Sequence, residues 1–395
     1  MKVALVHKRF APVGGTEGYV FDLARRLAGD GHEVHAVCAS AAEPPHPRIR
    51  IRRVPVVPLG RTLGMLSYAR GSDRLLGEER FDLVHGFGKT FRHDVYRLGG
   101  GCHASYLELA HAAGQPPLLR ALARLSPHQR ATLAVERTTF TAGNYLRLVT
   151  NSRLVRDDLR RRYDVSPERV RVLYSGVDLE RFHPRLRETE GKETRAALGV
   201  GAEDLLLVFV GTGFVRKGLA PLLRALPLLG SRGTRATLAM VGRDGRAGAY
   251  RRHAARLGIE DSVRFLGPRP DTERVLAAGD LFVLPTLYDP FANATLEAMA
   301  CGLPAVTTDR NGAAEIIEPG RNGAVVPAPP EPSALADAIE SLVRDGGLVE
   351  RGREARATAE RFPREAHYRE VLALYEEVLS EKRCTPSSPP RRSGA

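Results

Sequence analysis

The chain of 395 residues contains no tryptophan, and its only cysteines are Cys38, Cys102, Cys301 and Cys384. No C-x-x-C pair occurs, so neither a disulfide framework nor a cysteine zinc site is indicated, and reduced thiols are typical of a cytosolic protein. No run approaches the roughly 20 apolar residues of a transmembrane helix, and the opening apolar segment 2–7 is too short for the core of a signal peptide. We therefore expect a cytoplasmic protein.

Lysine is also scarce, since six lysines accompany 53 arginines. The formal net charge of +13 lies mainly in the first half: residues 1–190 hold 31 basic and 20 acidic side chains, whereas residues 191–395 hold 28 and 26. Such a positive surface attracts anionic partners, whether lipid headgroups, phosphorylated substrates or nucleic acid. A basic nucleic-acid-binding protein is only a distant alternative, because aromatic residues make up 6% of the chain and no helix-turn-helix, zinc-finger or RNA-stacking pattern is present.

Strand-like and helix-like segments alternate along the chain, and this pattern predicts an α/β fold with parallel sheets. After the first strand, helical spacing predicts an amphipathic helix from Thr16, its expected N-cap, to about Ala28. The polar segment 180–199, which contains Pro and Gly, predicts an interdomain linker. Apolar strands restart at 204–211, so two similar halves lie in tandem. Doubly wound domains of this kind bind ligands in a cleft at the carboxyl ends of their strands.

Two glycine-containing loops each follow a predicted strand and open a helix. In PVGGTE, Gly14 and Gly15 allow backbone amides to approach a phosphate at the positive end of a helix dipole, with a simple tight turn as the alternative. In GTGFVRKG (211–218), Arg216 and Lys217 stand beside a helix start. Cations are unfavourable there for the helix dipole, whereas a bound diphosphate would explain both of them.

A third segment, YDPFANATLEAMACGLPAVTT (288–308), predicts a loop, a helix and a strand. The backbone amides that could hold a phosphate belong to the residues at the helix start, Asn293, Ala294 and Thr295. Asp289 precedes Glu297 by eight residues, and Glu297 could accept a sugar hydroxyl. The alternative is a capped helix with solvated carboxylates.

These three segments resemble, in their order and separation, the retaining glycosyltransferases of the GT-B fold that use nucleotide-sugar donors, the group 1 or family 4 type. The resemblance implies two Rossmann-like doubly wound domains that face a cleft. The N-terminal acceptor domain would cover residues 1–185, and the nucleotide-sugar donor domain would cover residues 200–365. A C-terminal helix, 366–382, would pack back on the first domain, and the composition of 383–395 predicts a disordered tail.

Within that family the chain is most similar to the lipopolysaccharide core glucosyltransferase I type, on the segments GFVRKG (213–218), 82–106 and ERTTF (136–140). It departs from the family pattern at two positions. Many relatives have an arginine directly after the strand glycine, where this chain has Thr212, and the first glutamate of the family's E-x7-E pattern is Asp289 here. The aspartate is one methylene shorter and would reach the donor sugar differently.

The resemblance implies transfer of a hexose from a nucleotide diphosphate sugar, with a UDP-sugar such as UDP-glucose favoured, to a glycan, glycolipid or other hydroxyl acceptor in cell-envelope polysaccharide synthesis. Arg216 and Lys217 would stabilise the leaving diphosphate without a metal ion or another cofactor. Asp289 and Glu297 would bind the donor, and His103 would orient the donor sugar or the acceptor. A soluble disaccharide or small-molecule glycoside synthase of the same fold is the alternative.

Further candidates are expected around the same cleft. Main-chain groups at Phe265 and Leu266 would recognise the base. Asp94 and Glu136 would bind acceptor hydroxyls, with ion-paired carboxylates as the alternative reading. Glu315 would support the loop after its strand or the nucleotide ribose.

Contact with an anionic membrane, on its inner face, is a further expectation. The arginine-rich helix 153–162 is the candidate surface. A solvated amphipathic helix is the alternative, since the segment also contains Asp157 and Asp158. For His103, a satisfied core or surface histidine is likewise the alternative to a role at the site.

Overall fold

The computed structural model describes residues 1–112, 126–141, 144–201 and 204–384. The first half forms a seven-stranded parallel sheet. In spatial order its strands are β5 (Ile49–Arg53), β3 (Glu33–Cys38), β1 (Lys2–Val6), β6 (Leu83–Gly86), β7 (Val95–Arg97), β8 (Arg147–Thr150) and β9 (Val170–Val172). Two short strands beyond β1 and β3 pair separately, β2 (Arg9–Phe10) and β4 (Ser40–Ala41).

Helices cover both faces of this sheet. They are α1 (Gly15–Gly29), α2 (Gly60–Glu78), α3 (His103–Ala112), α4 (Pro127–Thr141) and α5 (Arg153–Tyr163). The apolar residues of α1 recur at helical spacing, so Val20, Leu23 and Leu27 are buried against the sheet. The predicted N-cap of α1 is wrong: the helix begins before Thr16, and Gly14 occupies the cap position without a side-chain hydrogen bond.

The second half forms a six-stranded parallel sheet. In spatial order its strands are β12 (Val263–Gly267), β11 (Ala236–Val241), β10 (Leu205–Val210), β13 (Leu281–Leu284), β14 (Ala305–Thr308) and β15 (Gly323–Val326). The surrounding helices are α6 (Glu190–Ala197), α7 (Leu219–Ser231), α8 (Ala247–Arg256), α9 (Thr272–Ala278), α10 (Asn293–Ala300), α11 (Pro332–Val343) and α12 (Leu348–Ala359). Strand β10, LLLVFV, is apolar at every position, as expected of a parallel strand that is covered on both faces.

The last helix, α13 (Arg364–Cys384), packs against the first sheet. Its residues Val371, Leu374, Tyr375 and Val378 belong to the core formed by α1 and β1. The chain passes between the halves twice, and the two passages pair: Val177 N donates to Phe362 O, and Arg364 N donates to Val177 O, each at 2.9 Å. Helix α13 continues through Cys384, and the rest of the predicted tail, 385–395, lies outside the described residues.

The segment 180–199 differs from its prediction as a linker. It contains a 3-10 helix, Pro184–Glu188, followed by α6. In α6, Arg195 forms an ion pair of 2.9 Å with Asp280. Phe182 and Leu198 join the core around β10. The polar composition was misleading because much of this segment remains at the surface while a few side chains anchor it to the second half. No helix among the described residues has both the length and the apolar character needed to cross a membrane.

Candidate functional site

Three charged side chains meet where β10 and β13, neighbours in the second sheet, reach their carboxyl ends. Lys217 Nζ lies 2.6 Å from Asp289 Oδ2, and Arg216 Nη1 lies 2.7 Å from the same oxygen. Asp289 is 5% exposed and Lys217 is 8% exposed. The structure thus brings both cations of the GTGFVRKG loop onto the carboxylate that replaces the first glutamate of E-x7-E.

Backbone hydrogen bonds hold the GTGFVRKG loop (211–218) against the loop between β13 and α10 (285–292). The carbonyl oxygen of Arg216 accepts hydrogen bonds of 2.8 Å from Leu287 N and from Thr286 Oγ1. Gly218 has a φ of +74°, and a Cβ at this position would lie 1.8 Å from the carbonyl oxygen of Pro285. Only glycine permits this approach, which fixes the direction of the lysine that precedes it.

The charges of this cluster do not cancel. Burial raises the pKa of Asp289, but Lys217 and Arg216 outweigh burial and hold that pKa below its ordinary value. Burial lowers the pKa of Lys217, and the Asp289 carboxylate offsets part of the decrease. With both cations protonated, one carboxylate faces two positive charges, so the cluster retains one net positive charge that suits an anionic ligand.

Glu297, the second carboxylate, lies in α10 and keeps part of its surface open. Burial raises its pKa to about 7, and the charges of Arg181 and Arg364 offset only part of that increase. Near neutral pH the carboxyl group therefore exists in both protonated and ionised forms. It can donate a hydrogen bond to a ligand hydroxyl or accept one from it.

A cleft of about 330 Å³ lies between the two halves of the molecule. Gly14 and Gly15 line it from the first half, and Asn293 and Glu297 line it from the second. No side chain caps the N-terminus of α1 at this cleft. The amides of its first turn and the helix dipole favour negative charge at the first half's wall, where the Glu17 carboxylate of that turn lies beside Gly14.

The start of α10 lies at Asn293, in agreement with the sequence pattern. Asn293 is exposed and lines the cleft, and Ala294 is half-buried. Thr295 is fully buried, and its hydroxyl accepts a hydrogen bond of 3.3 Å from Asn311 Nδ2. The Thr295 side chain therefore holds Asn311 in the loop after β14, and the Thr295 amide, expected to hold a phosphate, donates to Ala292 O at 2.9 Å.

Phe265 and Leu266 lie in β12, an edge strand of the second sheet. The Arg251 guanidinium stacks on the Phe265 ring at 4.6 Å and donates to the Phe265 carbonyl oxygen at 3.3 Å. Neither residue lines the cleft that contains Glu297. The Phe265 carbonyl oxygen, one of the main-chain groups expected to recognise a base, thus accepts a hydrogen bond from a side chain of its own domain.

Glu136, expected to bind acceptor hydroxyls, has a structural role instead. It is 1% exposed and caps α3, accepting hydrogen bonds from the amides of His103 at 2.7 Å and Ala104 at 3.2 Å. Lys89 Nζ and the Tyr163 hydroxyl donate to it at 2.8 and 2.7 Å. Four donors satisfy this buried carboxylate, which leaves it little capacity for an acceptor sugar.

His103 begins α3, next to the loop that follows β7. Its Nε2 contacts the side-chain oxygen of Gln129, and burial lowers the pKa of the imidazole. The neighbouring amide of Cys102 donates to the Tyr288 hydroxyl at 3.2 Å. The structure therefore places His103 one residue from a contact between the halves, with its ring held by a side chain of α4.

Asp94 lies away from the cleft. It precedes β7 at the amino edge of the first sheet, where it accepts hydrogen bonds from Val84 N at 2.8 Å and Lys382 Nζ at 2.9 Å. The prediction that Asp94 binds an acceptor at the cleft is wrong, because the cleft lies at the opposite edge. The residue instead fastens α13 to the first sheet.

Glu315 also differs from its predicted role. Its carboxylate crosses to the first half and caps α5, accepting hydrogen bonds from Leu154 N at 2.7 Å and Arg153 N at 3.0 Å. The Tyr174 hydroxyl donates to it at 2.7 Å. Glu315 therefore connects the halves, and its carboxylate is engaged by α5 and Tyr174.

Several residues of the cleft wall were not found from the sequence. Ser175, Arg364 and His367 line the cleft, and they come from the two passages between the halves. They are far apart in the chain and belong to no recognisable pattern. The only available signal was the position of Ser175, shortly after the carboxyl end of a parallel strand.

Comparisons with known proteins cover both halves. The family described as Glycosyltransferase Family 4 matches residues 13–181, and the family Glycosyl transferases group 1 matches residues 204–345. A protein of Burkholderia thailandensis named "Probable transglycosylase" is 30% identical over 380 residues, which is 94% of this chain and 95% of that protein. The lipopolysaccharide glucosyltransferase WaaG of Escherichia coli is 27% identical over 348 residues, which is 88% of this chain and 91% of WaaG.

Solved structures show the same architecture. A crystal structure of WaaG, a glycosyltransferase involved in lipopolysaccharide biosynthesis, has a TM-score of 0.81 at 26% identity and covers 94% of this chain and 99% of its own. Anabaena HepE, solved in complex with UDP and glucose, has a TM-score of 0.74 at 21% identity and covers 95% of this chain and 100% of its own. Because the family matches fall on the two sheets and the Burkholderia relative spans nearly the whole chain, the chain belongs to the group 1, or family 4, glycosyltransferases of the GT-B fold.

Proposed function

We propose that this glycosyltransferase is a retaining hexosyltransferase that uses a nucleotide diphosphate sugar, with a UDP-sugar favoured, and glycosylates a glycan or glycolipid in cell-envelope polysaccharide synthesis. The observation that carries the proposal is the convergence of Lys217 and Arg216 on one oxygen of Asp289, at 2.6 and 2.7 Å. The resulting net positive charge suits a diphosphate. The complex of HepE with UDP and the name of WaaG support these donor and acceptor classes.

In the proposed reaction, the bond between the anomeric carbon and the diphosphate oxygen breaks while the acceptor oxygen bonds to the same face of that carbon. The departing phosphate oxygen takes the acceptor's proton, so the reaction needs no protein base. Negative charge develops on the diphosphate, where Lys217 and Arg216 stabilise it without a metal ion. The uncapped amides of α1 at Gly14 and Gly15 act from the opposite wall.

The two carboxylates have different parts in this proposal. Asp289 keeps both cations oriented before the donor binds, and its second oxygen, Oδ1, can accept a hydroxyl of the donor sugar. Glu297, with a pKa of about 7, binds a donor hydroxyl in either protonation state. We place the enzyme in the cytoplasm, in peripheral contact with the inner face of the membrane, because the excess of basic residues lies in its first half.

A soluble disaccharide or small-molecule glycoside synthase is the second candidate, and the ion pairs of α5 favour it. Four arginines of this helix have carboxylate partners: Arg153 with Glu315, Arg156 with Asp157, Arg161 with Asp158 and Arg162 with Glu108. Paired arginines attract an anionic membrane less than free ones do. Sedimentation of the protein with vesicles containing anionic lipid distinguishes the two candidates, since only an envelope enzyme with peripheral contact should sediment.

The donor is tested by calorimetric binding of UDP, GDP, ADP and their hexose conjugates to the purified full chain. We expect one nucleotide series to bind wild type and the Lys217→Ala variant to lose that binding. Lys192→Ala is the matched control, because Lys192 is an exposed lysine paired with Glu188. Binding that survives in Lys217→Ala would contradict the diphosphate role. NMR of the anomeric proton of the product, formed with the bound donor, tests retention.

A further inference from the structure

Arg97, at the carboxyl end of β7, is a buried cation. It is 4% exposed and lies on the face of the first sheet that α1 and α13 cover. Its Cζ lies 4.3 Å from the centre of the Tyr19 ring, and its Nη2 lies 3.4 Å from Ser175 Oγ. Nη1 is buried and has no hydrogen-bond partner within the described ranges 1–112, 126–141, 144–201 and 204–384.

No carboxylate of the described chain forms an ion pair with Arg97, and the Asp22 carboxylate, which acts on Tyr19, pairs with Arg25 and Arg26 instead. Burial, followed by the charge of Arg97, lowers the pKa of His367 to about 3 and holds the pKa of His85 well below its ordinary value. Burial raises the pKa of Tyr19, so its hydroxyl remains protonated. By contrast Arg195, which is 9% exposed, pairs with Asp280 at 2.9 Å.

An unpaired buried charge is unfavourable to folding unless another interaction compensates it. The stacking on Tyr19 compensates only in part, since a cation–π contact contributes about 2 kcal/mol when desolvated. A residue that weakens the fold in this way is expected to act on a ligand.

The side chains around Arg97 belong to the wall of the cleft. Tyr19, Ser175 and His367, which surround its guanidinium, all line the cleft that also contains Gly14 and Gly15. The N-terminus of α1, which no side chain caps, borders the same space at Gly14 and Gly15. Arg97 thus contacts residues of the first half's wall of the cleft, a wall that also contains Asp22. It is distinct from Lys217 and Arg216 of the second half.

We propose that Arg97 is a phosphate-binding residue of the cleft, acting with Ser175 and the amides of the first turn of α1. The inference rests on the proposed function, because the phosphate belongs either to the nucleotide diphosphate donor or to a phosphorylated acceptor. A guanidinium offers two parallel donors to phosphate oxygens, which an ammonium does not.

The test uses the purified full chain and its variants Arg97→Met and Arg97→Lys. Arg147→Met is the matched control, because Arg147 lies on the adjacent strand β8 and its charge is balanced by Glu377 and Glu381. Calorimetry measures the Kd of inorganic pyrophosphate, of UDP, and of inorganic phosphate added to the UDP-saturated protein. Thermal unfolding measures Tm.

We expect Arg97→Met to weaken pyrophosphate binding by about tenfold or more, the loss typical of one charge-assisted hydrogen bond, and Arg147→Met to leave it unchanged. Arg97→Lys should weaken it by a smaller factor. An equal loss of UDP affinity identifies the donor diphosphate as the source. Unchanged UDP affinity, with loss of phosphate binding to the UDP-saturated protein, identifies a phosphorylated acceptor. The Tm of Arg97→Met should equal or exceed that of wild type.

If Arg97→Met binds pyrophosphate, UDP and phosphate as tightly as wild type does and has a lower Tm, then Arg97 is a structural residue and the inference is overturned. If Arg97→Met does not fold, Arg97→Lys decides, because unchanged affinities in that variant also overturn it. Failure of the proposed function gives a different result: no nucleotide binds wild type, yet pyrophosphate still binds in a manner that depends on Arg97.

Discussion

The hydroxyl of Tyr288 joins the two halves of the molecule by donating to Asp158 Oδ2 at a distance of 3.0 Å. Tyr288 is 1% exposed and directly precedes Asp289, whereas Asp158 belongs to α5 of the first half. The same hydroxyl accepts from Cys102 N at 3.2 Å. Gly101, with a φ of +68°, allows this contact, because a Cβ there would lie 2.6 Å from the Tyr288 hydroxyl. The loop that carries Asp289 is thus fastened to the segment that directly precedes His103 and α3.

The first prediction concerns Tyr288→Phe. Loss of the hydroxyl removes one hydrogen-bond partner from the buried Asp158 carboxylate and one from the buried Cys102 amide. This should lower the free energy of unfolding by about 1 to 3 kcal/mol. Because the contact aligns the two walls of the cleft, kcat should fall severalfold while the Kd of UDP changes little. Urea unfolding, calorimetry and steady-state kinetics measure these quantities.

Tyr145→Phe is the control for that variant, since the buried Tyr145 hydroxyl donates to Phe140 O within the first half, at 3.1 Å. It should lose comparable stability and keep wild-type kcat. Equal kcat values for the two variants would show that the Tyr288 contact only stabilises the fold.

Local sequence patterns predicted the elements of this fold well, and they predicted side-chain partners poorly. The arginine-rich segment predicted as a helix over 153–162 forms α5, Arg153–Tyr163, and the loop GTGFVRKG places Lys217 at the carboxyl ends of β10 and β13. In both cases the determining interactions lie within a few residues of chain or follow from the parallel-strand rule.

The errors have a common physical cause. Asp94 and Glu136 were expected near the cleft as carboxylates that could bind acceptor hydroxyls, but their partners Lys382 and Tyr163 are distant in sequence and nothing local reveals them. The same holds for Arg97, whose lack of a carboxylate partner is a property of the packed helices around it. A side chain's availability to a ligand is decided by tertiary contacts.

The second prediction concerns Asp289→Asn. Removal of the carboxylate leaves Lys217 buried beside another cation, so the free energy of unfolding should decrease by about 3 kcal/mol. A bound diphosphate restores the missing negative charge, so saturating UDP should raise the Tm of the variant more than that of wild type. Thermal unfolding with and without UDP measures both effects.

Asp337→Asn provides the comparison, because Asp337 forms an exposed ion pair of 2.7 Å with Arg232. Loss of this ion pair should lower the free energy of unfolding by less than about 1 kcal/mol. If UDP raises the Tm of Asp289→Asn no more than it raises the Tm of wild type, the proposal that Asp289 balances the charge of Lys217 and Arg216 is contradicted.

The third prediction concerns pH and Glu297. The pKa of this carboxyl is raised from 4.5 to about 7 in the folded state, so between these values the folded protein holds a proton that the unfolded chain has released. The resulting stabilisation is present at low pH and is lost as pH rises through 7. Relative to Glu297→Gln, whose side chain does not titrate, wild type should lose about 2 to 3 kcal/mol of unfolding free energy between pH 5 and pH 8. Urea unfolding of both proteins at the two pH values measures this difference. If the unfolding free energies of the two proteins depend on pH in the same way, the prediction is refuted.

The last prediction compares two glycines at the start and near the end of α7. Gly218 has a φ of +74° and would place a Cβ 1.8 Å from the Pro285 carbonyl oxygen, whereas a Cβ at Gly230 meets no atom within 4 Å. Gly218→Ala should therefore displace the Lys217 loop, destabilise the protein by more than about 1 kcal/mol and weaken UDP binding. Gly230→Ala should stabilise the protein by about 0.5 to 1 kcal/mol through helix propensity and leave UDP binding unchanged. Calorimetry and urea unfolding test both variants, and full UDP affinity in Gly218→Ala would mean that the position of Lys217 does not depend on this close approach.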